Sequence, residues 1–593
     1  MFSSSFSKKL GKIAFPTVML GVVGIVLIKA VIYGQGLEER FAGMGNDDIL
    51  RLTMVRDLIA GQSWFDQTQY RLVPPEGAPL HWSRYIDAGI AALIIPLSWV
   101  LPMAMAEQVA VVLWPTLILV VTLLVIGYGT RRIFGDVAAC FALACTVFWP
   151  LTADLHARPG NVDHHNVQFL TMVIVLFAIV WPGRAARAGI IGGAAAAFSL
   201  AVGLENIIFV VLAGAVLLAR AAYLRGDDVG RLRAFSVSLL VFGVLFWAGQ
   251  AATIYRFAMI CDQLGVPVLA MIGVACAASV LPFAVLRGDA KPLLIIGVAA
   301  AVTLAGLVLF WPMTRVCLAG PYGTLPDYIQ EFIGGAITEA RPGLVYIQLR
   351  PEAAVLFLLP VVSAVVIGFG VYLADRRLGY LGDRARTTLL IYLWFCVAGV
   401  GLVAYQMRMV NLAATPVPMV AGAVMAFVLR GYLAERSPAA AAKLFLAGYL
   451  LVAPILPGYL AAALFDSNAS DQGVASCKAV EPMQALNAVP PAVILAHGNL
   501  GPLLIWGTHH AALAAPYHRS EAALANAILP FRADDADIEE AIRATGAEML
   551  LLCKDQELQS GFLNQLAQGG SAPWLAQVPV DSEAIALFRI LPQ

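Results

Sequence analysis

Charge is scarce in this chain: Asp, Glu, Lys and Arg make up 13% of 593 residues, and their charges cancel to zero. No basic surplus exists to attract nucleic acid, and that class of partner is set aside. Cysteine is sparse as well, eight residues at no metal-like spacing, and reads as mostly core thiols. Neither an internal repeat nor a low-complexity linker is visible, which removes solenoid and array architectures. The basic start MFSSSFSKKLGK leads into an apolar run with no clear small-residue cleavage site, so a retained anchor is expected in place of a cleaved signal.

Apolar length is what the chain has in quantity. Sixty per cent of residues are hydrophobic and the mean hydropathy is +0.80. Runs near the roughly 20 residues needed to cross a bilayer recur throughout. The expectation is a polytopic α-helical membrane protein with about 13 spans, the first over about 13–33 and the last over about 442–463. Lys8, Lys9 and Lys12 place the N-terminus in the cytoplasm. The apolar piece 86–101 decides the topology. If it lies in the outer interface and does not span, the loops around Arg131, Arg184, Arg220–Arg233, Arg287–Lys291, Arg376–Arg386 and Arg430–Lys443 all fall inside. This reading leaves the ionisable residues of interest in outer loops.

The first of these loops contains GNDDILRLTMVRDLIAG, in which Ile49, Leu52, Val55 and Ile59 recur at helical spacing. Asn46 or Asp47 is the expected N-cap and Gly61 the stop, leaving one of Asp47 and Asp48 unexplained by capping. The second carries LTADLHARPGNVDHHNVQF, with Asp154, His156, Arg158, Asp163, His164 and His165 close together. Asp163 and His165, two apart, can offer a carboxylate oxygen and an imidazole nitrogen to one divalent ion, although a solvated loop would show the same residues. Further on, AITEARPG places Thr338 and Glu339, and YQMRM places Arg408, where it can snorkel to lipid or pair with a phosphate. After the last span the character changes. AVILAHG and EMLLLCKD read as buried strands and DADIEEAIRATG as a capped amphipathic helix, a small α/β domain over 465–593 following a membrane domain over 1–464. Cys477 and Cys553 both fall in it, paired or free.

These motifs, in this order and in outer loops, resemble the catalytic subunit of oligosaccharyltransferase, a GT-C-fold glycosyltransferase. The resemblance covers the whole membrane region. It implies that Asp47, Asp163, His165 and Glu339 hold a divalent cation, Mg²⁺ or Mn²⁺, with Asp47 and Glu339 also catalytic. Arg408, with Arg158 in the second loop, would bind the phosphate of a polyprenyl-linked sugar donor. Thr338 and Asn499 would face the acceptor, which is a saccharide, a lipid or a protein. The family's Trp-Trp-Asp-Tyr-Gly signature should fall in AHGNLGPLLIWGTHH, where His497, Gly498, Asn499, Leu500 and Gly501 stand instead. Only the final glycine is kept, so the expected acceptor is something other than an Asn-X-Ser/Thr sequon. The expected setting is the bacterial inner membrane, multi-pass, with the site on the periplasmic face. Ordinary protein N-glycosylation is the nearest alternative. A non-catalytic polyprenyl-lipid binder is a further one. A transporter or flippase would need ionisable residues near the midplane and matching halves, and the sequence has neither pattern.

Overall fold

The computed structural model describes residues 4–152, 156–320, 322–323, 325–336, 340–452 and 476–593. Among them, ten helices are long and apolar enough to cross a membrane, from Ala14–Gly34 through Met103–Phe134 to Val417–Glu435. Three shorter apolar helices, Asp136–Phe148, His165–Val180 and Pro438–Leu451, occupy the other positions where the hydropathy pattern places spans. The segment at 86–101 forms a 15-residue helix, Arg84–Ser98, which packs on the start of Met103–Phe134 and is not among the ten. Glu107 at the start of Met103–Phe134 pairs with Arg56 of the first loop, whereas Arg131 and Arg132 sit in that helix's last turn. At 1.5 Å per residue they are about 36 Å away, on the opposite end of the bundle.

The C-terminal region folds as a five-stranded mixed sheet. Strands β1 (Thr68–Gln69) and β2 (Ala78–Pro79) form a small antiparallel pair in the first loop. β3 (Val493–Leu495), β4 (Ala511–Ala512), β5 (Met549–Cys553), β6 (Leu575–Val578) and β7 (Ile585–Ile590) build the larger sheet in the order β4-β3-β5-β7-β6. β3 is parallel to β4 and β5, and β7 is antiparallel to β5 and β6. The two strands expected at 492–498 and 548–554 are β3 and β5, the latter buried at every position. The helix expected after Asp537 runs from Ile538 to Ala544, without a side-chain cap bond.

This domain shares a hydrophobic core with the first loop. Ile49, Leu50, Val55 and Leu72 pack in one cluster with Ile494, Leu503, Leu504 and Leu551. Each such side chain, fully buried, contributes about 1.5–3 kcal/mol. The chain joins the two parts by backbone as well, Val73 N–H donating to Ala512 O at 2.8 Å and Ala512 N–H to Arg71 O at 2.9 Å. Glycine makes the approach of helix Gly501–Gly507 to the segment just after β4 possible, since a Cβ on Gly501 would stand 1.9 Å from Ala514 O. The expectation that the cysteines are mostly core thiols is corrected: Cys261 pairs with Cys317 and Cys477 with Cys553, leaving Cys140, Cys145, Cys276 and Cys396 free. Gly501→Ala is expected to lower stability by about 1–3 kcal/mol through overpacking. Thermal unfolding of the detergent-solubilised chain measures this, and an unchanged midpoint would contradict it.

Candidate active site

The first-loop helix spans Asn46–Ile59. Gly45, not Asn46 or Asp47, occupies the N-cap position and has no side chain to cap it, while Asn46 and Asp48 are engaged in tertiary contacts. Asp48 is buried, and its Oδ1 accepts the backbone N–H groups of Val162 at 2.8 Å and Asp163 at 3.0 Å. One carboxylate therefore fastens the second loop to the first. Burial first, and Asp163's charge second, push the Asp48 carboxyl up to about 8. Asp47 is left open to solvent although protein surrounds it, as a side chain lining a cleft is. Desolvation and then Asp163 raise its carboxyl to about 6.

Asp163 is the point where the loops meet. Its Oδ1 accepts from Arg51 Nη2 at 2.9 Å and from His164 Nδ1 at 2.6 Å, and its Oδ2 lies 3.3 Å from His165 Nε2. Burial alone would raise its pKa, but the cationic partners outweigh that and hold the carboxyl well below its usual range. His164 reaches Glu205 with its other nitrogen at 3.3 Å. Against the cost of burial, Asp163 and Glu205 push this imidazole up to about 10. His165 begins the helix His165–Val180, with Nδ1 3.3 Å from Gln168 Oε1. His156 Nε2 bonds Asn411 Oδ1 at 3.1 Å beside it, and burial followed by the charge of His165 pushes His156 down to about 4.

The donor set fits a divalent cation. Cis ligands on an octahedral ion at about 2.1 Å stand about 3 Å apart, close to the 3.3 Å between Asp163 Oδ2 and His165 Nε2. Among the described residues, five carboxyl groups (Asp47, Asp48, Asp87, Asp163 and Glu205) gather around Arg51, Arg84 and His164. Burial is the main cause that raises Asp47 and Asp48, the charge of Asp163 adds to it, and a cation beside Asp47 would oppose both.

The other expected residues are placed as follows. Arg408 lies near enough to Tyr322 for its charge to offset part of the upward push of burial on that hydroxyl, and its Nε is buried with no partner among the described residues. Tyr322 in turn feels the charges of Glu205 and Asp47, which puts Arg408 on the same cleft. Arg158 is exposed, its Nη2 3.0 Å from Met44 Sδ. Asn499 accepts from Asn46 Nδ2 at 3.0 Å, immediately next to Asp47. Thr338 and Glu339 lie outside the described residues.

The oligosaccharyltransferase of Archaeoglobus fulgidus in its apo form superposes with a TM-score of 0.63 at 14% identity, over 90% of this chain and 69% of that one. The same enzyme with an inhibitory peptide and a dolichol-phosphate gives 0.57 at 13% identity, and its complex with Zn and sulfate 0.59 at 14%, each over 90% of this chain and covering 69% and 68% of the other. This chain has the GT-C fold of the oligosaccharyltransferases. Neither a protein-family model nor a curated protein matches the sequence.

Within that GT-C fold the cleft has parts that sequence reading missed. Arg51, Asp87 and Arg84 form a buried ion-paired chain behind Asp163, and Tyr517, His81 and Trp82 line its approach to the C-terminal domain. The second aspartate of the first-loop pair was the available signal for Asp48. For the others there was none, since their partners lie far along the chain. One such pairing joins the C-terminal domain to the bundle: Arg519 grips Asp262 with Nε at 2.6 Å and Nη2 at 2.7 Å, and His518 adds Nε2 at 2.9 Å. His81, Asp262 and His518 are compact enough for a metal, yet Asp262 is already chelated by Arg519 and the trio reads as an ion-paired staple.

Burial would raise the Asp262 carboxyl, but Arg519 and His518 hold it far below its usual 3.8. A carboxylate depressed on folding stabilises the fold above its unfolded pKa and ceases to do so as pH falls through the folded one. Wild type is therefore expected to lose stability relative to Asp262→Asn as pH falls below about 4, with its full advantage kept at neutrality, about 3 kcal/mol for such a pair. Thermal melts of both proteins across pH 3–8 measure this, and parallel curves would contradict it.

Proposed function

We propose that this chain is a metal-dependent GT-C glycosyltransferase. It moves a sugar or oligosaccharide from a polyprenyl-phosphate or -diphosphate donor to an acceptor on the periplasmic face of a bacterial inner membrane. The observation that carries this reading is the convergence of Asp47, Asp163, His165 and Arg408 on one cleft in a fold shared with an oligosaccharyltransferase solved in complex with an inhibitory peptide and a dolichol-phosphate. Asp47, Asp163 and His165, with Glu339, would hold Mg²⁺ or Mn²⁺, the imidazole favouring manganese, and the ion would supply charge neutralisation at the donor phosphate.

The chain's own residues perform the remaining tasks. Arg408, whose Nε has no partner among the described residues, offers its guanidinium fork to the phosphate and shares the charge that grows on the leaving group. Asp47 or Glu339 orients the acceptor and takes its proton as the acceptor attacks the anomeric carbon. The carbon–oxygen bond to phosphate breaks, and a single displacement inverts the anomeric centre. The lipid tail lies in the bilayer beside the apolar helices, which accounts for a transferase of this hydropathy.

The acceptor reading also draws on the geometry. Gly498 has no room for an aromatic side chain, since a Cβ there would meet Ala527 Cβ at 2.9 Å. Asn499 is engaged with Asn46 and Leu500 is fully buried. No carboxylate or aromatic wall stands along 497–501, so an acceptor hydroxyl from a sequon would lose about 1–3 kcal/mol for an unpaired polar group. A lipid-linked saccharide, a surface polysaccharide or a differently specified protein site suits this face better.

Two measurements test these statements. Asp163→Ala, or full chelation, is expected to lower transfer from a radiolabelled polyprenyl-linked donor at least about 100-fold; transfer that persists would remove the metal role. Mass spectrometry of glycolipids, polysaccharides and glycopeptides from a deletion strain and its parent should show the loss outside Asn-X-Ser/Thr peptides. Loss confined to those peptides would restore ordinary N-glycosylation as the function.

A further inference from the structure

We infer that Arg51, braced by Asp87 and Arg84, is a positioning residue that leaves Asp163 only one free oxygen and so tunes the cleft to a small octahedral cation against calcium. The inference rests on the metal-dependent reading above. Asp163 is approached from both sides. Oδ1 is filled by Arg51 Nη2 at 2.9 Å and His164 Nδ1 at 2.6 Å, while Oδ2 faces His165. A carboxylate held in this way can ligate through Oδ2 but cannot chelate through both oxygens. Calcium takes six to eight oxygens at longer distances and commonly uses bidentate carboxylates, whereas magnesium and manganese accept one oxygen in a tight octahedron.

Arg51 has little freedom to move. It is completely buried, its guanidinium stacks 4.7 Å from the Trp82 ring, and its Nη1 bonds Asp87 Oδ1 at 3.3 Å. Asp87 Oδ2 is in turn held by Arg84 Nη1 at 3.0 Å. Arg84, buried as fully, also donates to Gln62 Oε1 at 3.0 Å and to the Asp66 carbonyl. The bracing thus runs from the first-loop helix through the start of helix Arg84–Ser98 into the irregular segment between them. Asp48, holding the amides of Val162 and Asp163, fixes the backbone from which the ligand projects. A lysine at 51 could not span Asp163 and Asp87 together, because an ammonium lacks the planar fork.

The test uses the full chain in detergent, with Mn²⁺ binding counted by electron paramagnetic resonance and Ca²⁺ as competitor, so that no turnover is needed. In Asp87→Asn and Arg51→Lys the Mn²⁺ dissociation constant is expected to rise at least about 10-fold, as for other residues that orient a ligand. The Ca²⁺ constant should stay within about twofold on the same reasoning, so the selectivity ratio collapses. Asp87→Asn is close to isosteric and carries the test if Arg51→Lys does not fold. A ratio unchanged in the folded variants, with Mn²⁺ binding lost in Asp163→Ala, would overturn this inference and leave the metal reading standing. Wild type without saturable Mn²⁺ binding would overturn both.

Discussion

The cleft depends on how one buried carboxylate is shared. Asp163 lies where burial strongly penalises charge, and it stays ionised only because Arg51 and His164 both donate to it. Each partner belongs to a different part of the chain. Arg51 brings the first-loop helix, His164 and His165 bring the start of a membrane helix, and Glu205 brings the turn between two others. Satisfying one charge therefore gathers the residues that the proposed chemistry requires. Burial, with the charge of Asp163 added to it, raises Asp47 and Asp48, while the cationic partners of Asp163 hold that carboxyl low.

The C-terminal domain completes the cleft from above. Tyr517 donates to the carbonyl of Asn46 at 3.0 Å, Asn499 accepts from its side chain, and Lys478 approaches it at 3.4 Å. Three contacts from the C-terminal domain thus converge on the residue immediately before Asp47. On the other side, Ile329 and Ile333 of helix Asp327–Ala336 pack on Leu524 and Ile528, joining the loop that precedes Thr338 to the same domain. The Cys261–Cys317 bridge ties the segments that carry Asp262 and Tyr322 to one another.

Much of this was legible because the chain is so apolar. In such a background each run of charge stands out, and Asp47, Asp163, His165 and Arg408 drew attention by position alone. The helices were legible from hydropathy, and β3 and β5 from short apolar runs between turns. What stayed hidden depends on distance along the chain. Asp262 and Arg519 are 257 residues apart, and nothing local marks them as partners. Cys261 and Cys317 are separated by 56 residues and looked like core thiols for the same reason. The capping expectation failed because Asn46 and Asp47 satisfy the usual rule for a helix start, while tertiary contacts claim both neighbours of Asp47.

A cation shared by Asp163 and His165 is the centre of the proposed chemistry. Electron spin-echo modulation of Mn²⁺ bound to the full chain reads the ligand nitrogen directly. The wild type is expected to show ¹⁴N modulation from one imidazole, and His165→Ala to lose it. Mn²⁺ bound without ¹⁴N modulation, or modulation that survives that substitution, would contradict it.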